Sequence, residues 1–194
     1  MSADEVVKSV ARDEPFYRSS GGGVTISGGE PLQQAEFVTE VLKKCRRRGI
    51  HTALETSGYG DWESFQTLLK HVDLLQNDIK HMDPEEHYRV TGKSNELILE
   101  NIRRAAAKFP IPIIIRFPVI PGCNDSPENI RAMIQFLRES QISQVDVFPF
   151  HKLGEHEYEE MGMDYREKDT AVPANDHILH LKETFRSFGL VVPA

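Results

Sequence analysis

Cysteine is nearly absent from this chain. Its 194 residues hold only Cys45 and Cys123. Two thiols this far apart give neither a disulfide framework nor a metal-ligand cluster by spacing, and each reads as a buried or incidental thiol. Long apolar runs are absent as well, since nothing approaches the roughly 18 residues that a membrane-spanning helix needs. The first residues, MSADEVVKS, lack the charged-then-apolar layout of a secretion signal. Basic residues are in deficit: Lys plus Arg number 23 against 30 Asp plus Glu, a net charge of −7. That balance disfavours nucleic acid and anionic membrane as partners. The expectation is a cytoplasmic protein. With no linker, low-complexity tract or composition break, residues 1–194 read as one domain.

Two familiar glycine-loop signatures are also missing. The stretch Gly21 to Pro31, GGGVTISGGEP, has no Lys-Ser/Thr after its second glycine pair, so it is not a Walker-type phosphate loop. It has no G-x-G-x-x-G after a strand, which removes the dinucleotide fingerprint. What it does have is a β-branched strand, Val24 to Ile26, a tight turn, an acid and a helix-opening proline. Ser27, Gly28, Gly29 and Glu30 can present backbone donors and a negative charge in one small space. That suits a ligand carrying both a carboxylate and an ammonium, such as an amino acid. Read alone, the turn also fits a plain strand-to-helix connection.

The rest of the chain alternates strands and helices. A capped helix covers Ser2 to Ala11, and Arg12 to Ser20 reads as a loop. Further strands are expected at Ile50–Ser57, Val72–Ile79, Ile111–Val119 and Val145–Phe150. Helices are expected at 32–48, 62–71, 83 onward, 95–109, 128–139 and 175–188. The basic run closing the helix before Gly49 fits a solvated helix end. The Ile111–Val119 run suggests a strand covered on both faces. Lys152 to Pro173 reads as a polar loop, and Leu190–Val192 as a short last strand. Such alternation indicates an α/β protein with a parallel sheet, either open and doubly wound or part of a (β/α) barrel. Both place chemistry at the C-terminal strand ends. The polar outliers fall there: Glu30, then Glu55 and Thr56, then Asp78 and Lys80, then Arg116, then His151. Taken singly, Asp78 and Lys80 also fit a structural ion pair, and His151 a structural histidine. Polar groups at successive strand ends point together to a convergent pocket.

SGGEP (27–31), LETSGY (54–59), NDIKHMDPEEHYRVTG (77–92), IIIRFPVIPGCND (113–125) and FPFHKLGEHEYEEMG (148–162) together resemble the radical S-adenosylmethionine activases of glycyl radical enzymes, the pyruvate formate-lyase activating enzyme family. The resemblance implies a partial (β/α) barrel. It implies that Ser27 to Glu30 hold the methionyl amino group of S-adenosylmethionine, with Glu55 and Thr56 nearby. The family commonly has Asp where this chain has Glu55. Lys80 and His151 are implied to contact the cofactor's carboxylate and ribose, and Arg116 to line the same pocket. A monovalent cation at Glu55, Thr56 and Asp78 is a further implication. The implied partners are a glycyl radical enzyme of the pyruvate formate-lyase type and a flavodoxin or ferredoxin as electron donor.

One departure dominates. The family holds a 4Fe–4S cluster on a C-x-x-x-C-x-x-C motif, and Cys45 and Cys123 cannot supply its three thiolates. The expectation is therefore a radical-SAM barrel whose first strand and cluster loop are missing, a fragment of an activase. Such a fragment leaves the strand at Val24–Ile26 with an unpaired edge. Two other readings stay open: a cluster-less, inactive binding module, and an aldolase or isomerase using Lys80 as a Schiff-base amine. The neighbouring Asp78, which keeps an amine charged, argues against the last.

Overall fold

The computed structural model describes residues 1–151, 162 and 170–193. Helix α1 (Ala3–Val10) opens on a full capping box, in which Ser2 and Glu5 satisfy each other's backbone N–H groups. Residues expected to be a loop are instead a 3₁₀ turn (Ala11–Asp13) and helix α2 (Glu14–Ser20). No residue of α2 is buried, so it has no apolar stripe for periodicity to detect. Its ion pairs from Glu14, to Arg18 and across to Arg48, and the left-handed cap at Gly21 fix it instead.

The sheet follows: β1 (Gly23–Ile26), β2 (His51–Thr56), β3 (Leu74–Asp78), β4 (Ile113–Val119) and β5 (Gln144–Pro149). Between them run a 3₁₀ turn (Pro31–Gln34) with α3 (Ala35–Arg47), then α4 (Trp62–Leu69), α5 (Pro84–Thr91) with α6 (Glu96–Lys108), and α7 (Pro127–Glu139). Helix α8 (Asn175–Ser187) comes last. All pairings are parallel and the spatial order is β1-β2-β3-β4-β5. That order decides between the two expected folds. A doubly wound sheet reverses direction at a switch point, whereas a barrel adds each new strand on the same side. The sheet never reverses, so it is a segment of a barrel.

The strands bury the side chains that meet the helices. On β4 Ile113, Ile115, Phe117 and Val119 are buried, while Ile114 and Arg116 between them are only half-buried. The expected cover on both faces is thus complete on one face only. The other is the inner wall of the barrel, where Arg116 needs room. A smaller core of Ala3, Val7, Val41, Cys45 and Ile50 joins α1 to α3, and Val6, Val10 and Tyr17 pack there with Val24 and Ile26. The N-terminal helices therefore cover apolar side chains of β1, whose only strand neighbour among the described residues is β2. At the start of β1 the backbone is pressed against β2. A Cβ on Gly23 would lie 1.9 Å from the His51 carbonyl oxygen. Leu190–Val192 contributes only a single parallel bridge, Gln144 to Val191. The expected polar loop at 152–173 lies largely outside the described residues.

Candidate functional site

Glu30 organises the turn after β1. One carboxylate oxygen accepts from the Leu32 N–H and the Thr56 hydroxyl, and the other from the Ser57 N–H and hydroxyl. The acid thereby buckles the Ser27–Pro31 turn onto the end of β2. Gly28 sits at φ +102°, and a Cβ on either Gly28 or Gly29 would meet no atom within 4 Å. The turn backbone therefore stands open to a ligand.

Glu55 and Thr56 part company. Glu55 pairs with the Arg116 guanidinium. Thr56 is buried, with its hydroxyl donated to Glu30 and accepting from the Gly58 N–H. Just past the end of β3, Lys80 Nζ meets Asp78 Oδ2 at 2.6 Å, as side chains two apart on an extended chain should. The other oxygen, Asp78 Oδ1, is buried without a hydrogen-bond partner and lies 4.0 Å from the Arg116 guanidinium. Arg116 also stacks over Phe148 at 4.8 Å. It thus stands against both acids of the expected cation site, and a monovalent cation there would have to displace it.

Two cavities share Asp78, Lys80 and Thr91. One, of about 250 Å³, takes in Glu30, Ser57, Tyr59, His87 and Lys93. The other, of about 380 Å³, takes in Glu55, Arg116, Phe148 and His151. The strand-end acids and bases are thus brought to one end of the sheet, Thr56 lies beneath them, and Ser27 to Gly29 form the exposed turn beside them. A wider depression of about 580 Å³ between α7 and Phe188 contains none of these groups.

Several wall residues gave no signal of their own. Lys93 lies over the Tyr59 ring at 5.3 Å, a pairing between distant segments that no local pattern announces. His87 is buried on α5, and its Nδ1 lies 2.7 Å from the Lys93 carbonyl oxygen. Burial lowers its pKa below the usual histidine value, the Lys93 carbonyl opposes this, and His81 and Lys80 add to the lowering. Ser57 and Tyr59 sit inside LETSGY, and His87 inside the 77–92 stretch, so these three were open to a motif reading.

A ligand with an ammonium and a carboxylate matches this donor set. The orphaned Asp78 oxygen calls for a donor or cation, Lys80 and Arg116 offer positive charge, and the glycine turn offers unobstructed backbone. An iron–sulfur cluster does not match. Cys45 is fully buried on α3 and Cys123 lies after β4, and no group of three metal-ligating side chains exists among the described residues.

A parallel barrel segment with acids and bases gathered at its C-terminal strand ends defines a broad class, the (β/α) barrels. The chain belongs to the Radical SAM superfamily, which matches residues 1–137. Among its relatives are activating enzymes. It is 42% identical over 190 residues to a 4-hydroxyphenylacetate decarboxylase activating enzyme of Clostridioides difficile, covering 97% of this chain and 60% of that protein. It is 40% identical over 196 residues to a (2S)-3-sulfopropanediol dehydratase activating enzyme of Klebsiella oxytoca, covering 98% and 62%. The crystal structure of a domain of pyruvate-formate lyase-activating enzyme from Bacteroides vulgatus superposes with TM-score 0.74 at 30% identity, covering 89% of this chain and 98% of that domain. The chain spans about 60% of the length of the two named activating enzymes.

Proposed function

We propose that these 194 residues form the S-adenosylmethionine-cradling part of a glycyl-radical-enzyme activase. The observation that carries the reading is the Asp78–Lys80 pair, with its orphaned Asp78 oxygen, beside the Glu30-buckled glycine turn in a chain about 40% identical to activating enzymes. In this reading Ser27, Gly28 and Gly29 receive the amino end of the cofactor, and Glu30 and Thr56 hold that turn in shape. Asp78 Oδ1 accepts from the ligand. Lys80 neutralises its carboxylate while Asp78 Oδ2 fixes the ammonium in place. Glu55 and Arg116 form the floor, and His151 meets the ribose at the end of β5. When bound and cleaved by one electron from a reduced cluster, with release of methionine, the cofactor would supply the 5′-deoxyadenosyl radical that takes a hydrogen atom from the partner's glycine.

The cluster is no part of what these residues hold. Its three thiolates are proposed to come from protein outside this chain, which spans only part of its relatives' length. The partner is a glycyl radical enzyme, the pyruvate formate-lyase type being one member. The electron donor is a flavodoxin or ferredoxin, and the compartment is the cytoplasm. The described helices include none long and apolar enough to cross a membrane.

Calorimetry with S-adenosylmethionine tests the cradle directly. Binding that is lost in Lys80→Ala is expected, and no binding by the folded parent chain sinks the cradle. The activase reading is tested on a version joined to a segment carrying the cysteine triad. Mixed anaerobically with a glycyl radical enzyme, reductant and cofactor, it should yield the partner's glycyl radical by electron paramagnetic resonance. A loaded cluster with no radical on any such partner favours the second reading, a binding module without catalysis, for which the two-cysteine count is the specific observation. The Schiff-base reading is disfavoured by the 2.6 Å ion pair, because an amine tied to a carboxylate is a poor carbonyl nucleophile.

A further inference from the structure

Beyond Asp78 the chain leaves the sheet, and Lys80, His81 and Met82 belong to no regular element. Backbone polar groups in such a segment lose their ladder partners and must be satisfied otherwise. Here three buried asparagines do it, each from a different later stretch of chain. Asn124, after β4, donates to the Lys80 carbonyl at 2.9 Å and to the Pro118 carbonyl at 2.7 Å. Its own side-chain oxygen accepts from the Ile120 N–H at 2.8 Å. Asn129, in the first turn of α7, accepts from the Met82 N–H at 2.8 Å and donates to the Asn124 carbonyl at 2.6 Å. Asn95, the N-cap of α6, donates to the His81 and Met82 carbonyls at 2.9 and 2.7 Å. Asn124 is 0%, Asn95 1% and Asn129 4% exposed.

Buried asparagine is costly unless its hydrogen bonds are made. Three of them spent on three consecutive residues is a concentration that packing alone does not require. The hydrophobic core next to them is built from Ile79, Ile98 and Ile130 and already fixes the helices. What the asparagines add is the path of the backbone that carries Lys80. They also tie that path to Pro118 on the neighbouring strand, two residues beyond Arg116.

We propose that Asn124, Asn129 and Asn95 form a clamp that positions Lys80 against Asp78, with Asn124 and Asn129 as its principal positioning residues. None of the three lines either strand-end cavity, and they act through Lys80. The ligand consequence rests on the cofactor-cradle reading above, whereas the placement of the Lys80 ammonium does not.

Competitive acetylation of the folded chain, with Lys80 and Lys93 quantified by mass spectrometry, reads the placement without any ligand. Releasing Lys80 from Asp78 removes the carboxylate that holds its nitrogen at 2.6 Å and screens it from the reagent. In Asn124→Ala and Asn129→Ala, Lys80 should therefore react about threefold faster relative to Lys93. Met133→Ala, which removes a fully buried core side chain of α7, destabilises the fold and should leave the ratio unchanged. Asn129→Ala serves if Asn124→Ala does not fold. Calorimetry with S-adenosylmethionine is the second arm. Asn124→Ala should weaken binding relative to the parent, whereas Met133→Ala should not. An unchanged acetylation ratio in either folded asparagine variant, or the same change in Met133→Ala, overturns the clamp. A changed ratio in a parent that binds no cofactor upholds the clamp and removes the cradle.

Discussion

Arg116 on β4 pairs with Glu55 on β2, two strands away, and passes over Asp78, its own register partner on β3, at 4.0 Å. A side chain must span two inter-strand spacings of roughly 4.8 Å each to do this, which the long guanidinium arm allows and an Asp in place of Glu55 would make harder. The extra methylene of Glu55 therefore has a structural consequence: it closes the ion pair across the mouth of β3. Both partners are partly exposed, so the pair is worth less than a buried one. A double-mutant cycle with Glu55→Gln and Arg116→Met is expected to give a coupling of about 1 kcal/mol in urea unfolding. Coupling near zero would mean that the contact does not persist in solution.

Glu30 should matter more to the fold than any other strand-end acid. Its removal leaves the Thr56 and Ser57 hydroxyls and the Leu32 and Ser57 N–H groups without their acceptor. Glu30→Ala is expected to cost about 3 kcal/mol, and Glu30→Gln about 1 kcal/mol because one acceptor oxygen remains. Equal, small losses in the two variants would show that water replaces the carboxylate and that the turn is not held by it.

The two glycines of the turn should behave differently. Gly28 has φ +102°, while no positive φ is found at Gly29, and neither position has an atom near a new Cβ. Gly28→Ala is expected to lose about 1–2 kcal/mol through backbone strain, and Gly29→Ala less than about 0.5 kcal/mol. If the two alanine variants melt alike, conformational strain is not what selects glycine at position 28.

The order of elements and the strand-end placement of Glu30, Asp78, Lys80, Arg116 and His151 were legible because parallel strands announce themselves by β-branched runs and polar punctuation. The choice of barrel over open sheet came from the family resemblance and not from the local patterns, since strand order is a tertiary fact that identical local patterns can satisfy either way. Helix α2 escaped because none of its residues is fully buried and only Tyr17 packs against the core. Thr56 was grouped with Glu55 as a motif pair, yet its hydroxyl serves Glu30 while Glu55 serves Arg116, because neighbours on a strand point to opposite faces. His87, Lys93 and Tyr59 were not singled out as site residues because they come from separate stretches of chain that meet only at the cavity. The asparagine clamp was equally silent, since its members are spread from residue 95 to residue 129 and meet only around the backbone of Lys80 to Met82.

Acid sensitivity should trace in part to His87. Burial holds its pKa below the ordinary histidine value of 6.5 in the folded chain, and His71 is shifted the same way by burial and by Lys43, Arg46 and Lys70. Above the unfolded value, about 6.5, both states are neutral at these rings and the stability they permit is fully present. As pH falls through that value, the unfolded chain takes up protons first, and stability is lost until the folded values are passed. The melting temperature should therefore drop between about pH 7.5 and 5.5. His87→Gln keeps a side-chain donor for the Lys93 carbonyl but cannot titrate, so its drop should be smaller, and smaller still in His71→Asn/His87→Gln. The measurement is a set of thermal melts followed by circular dichroism at constant ionic strength. A His87→Gln profile parallel to that of the parent would remove His87 from the account and leave the acid response to other groups.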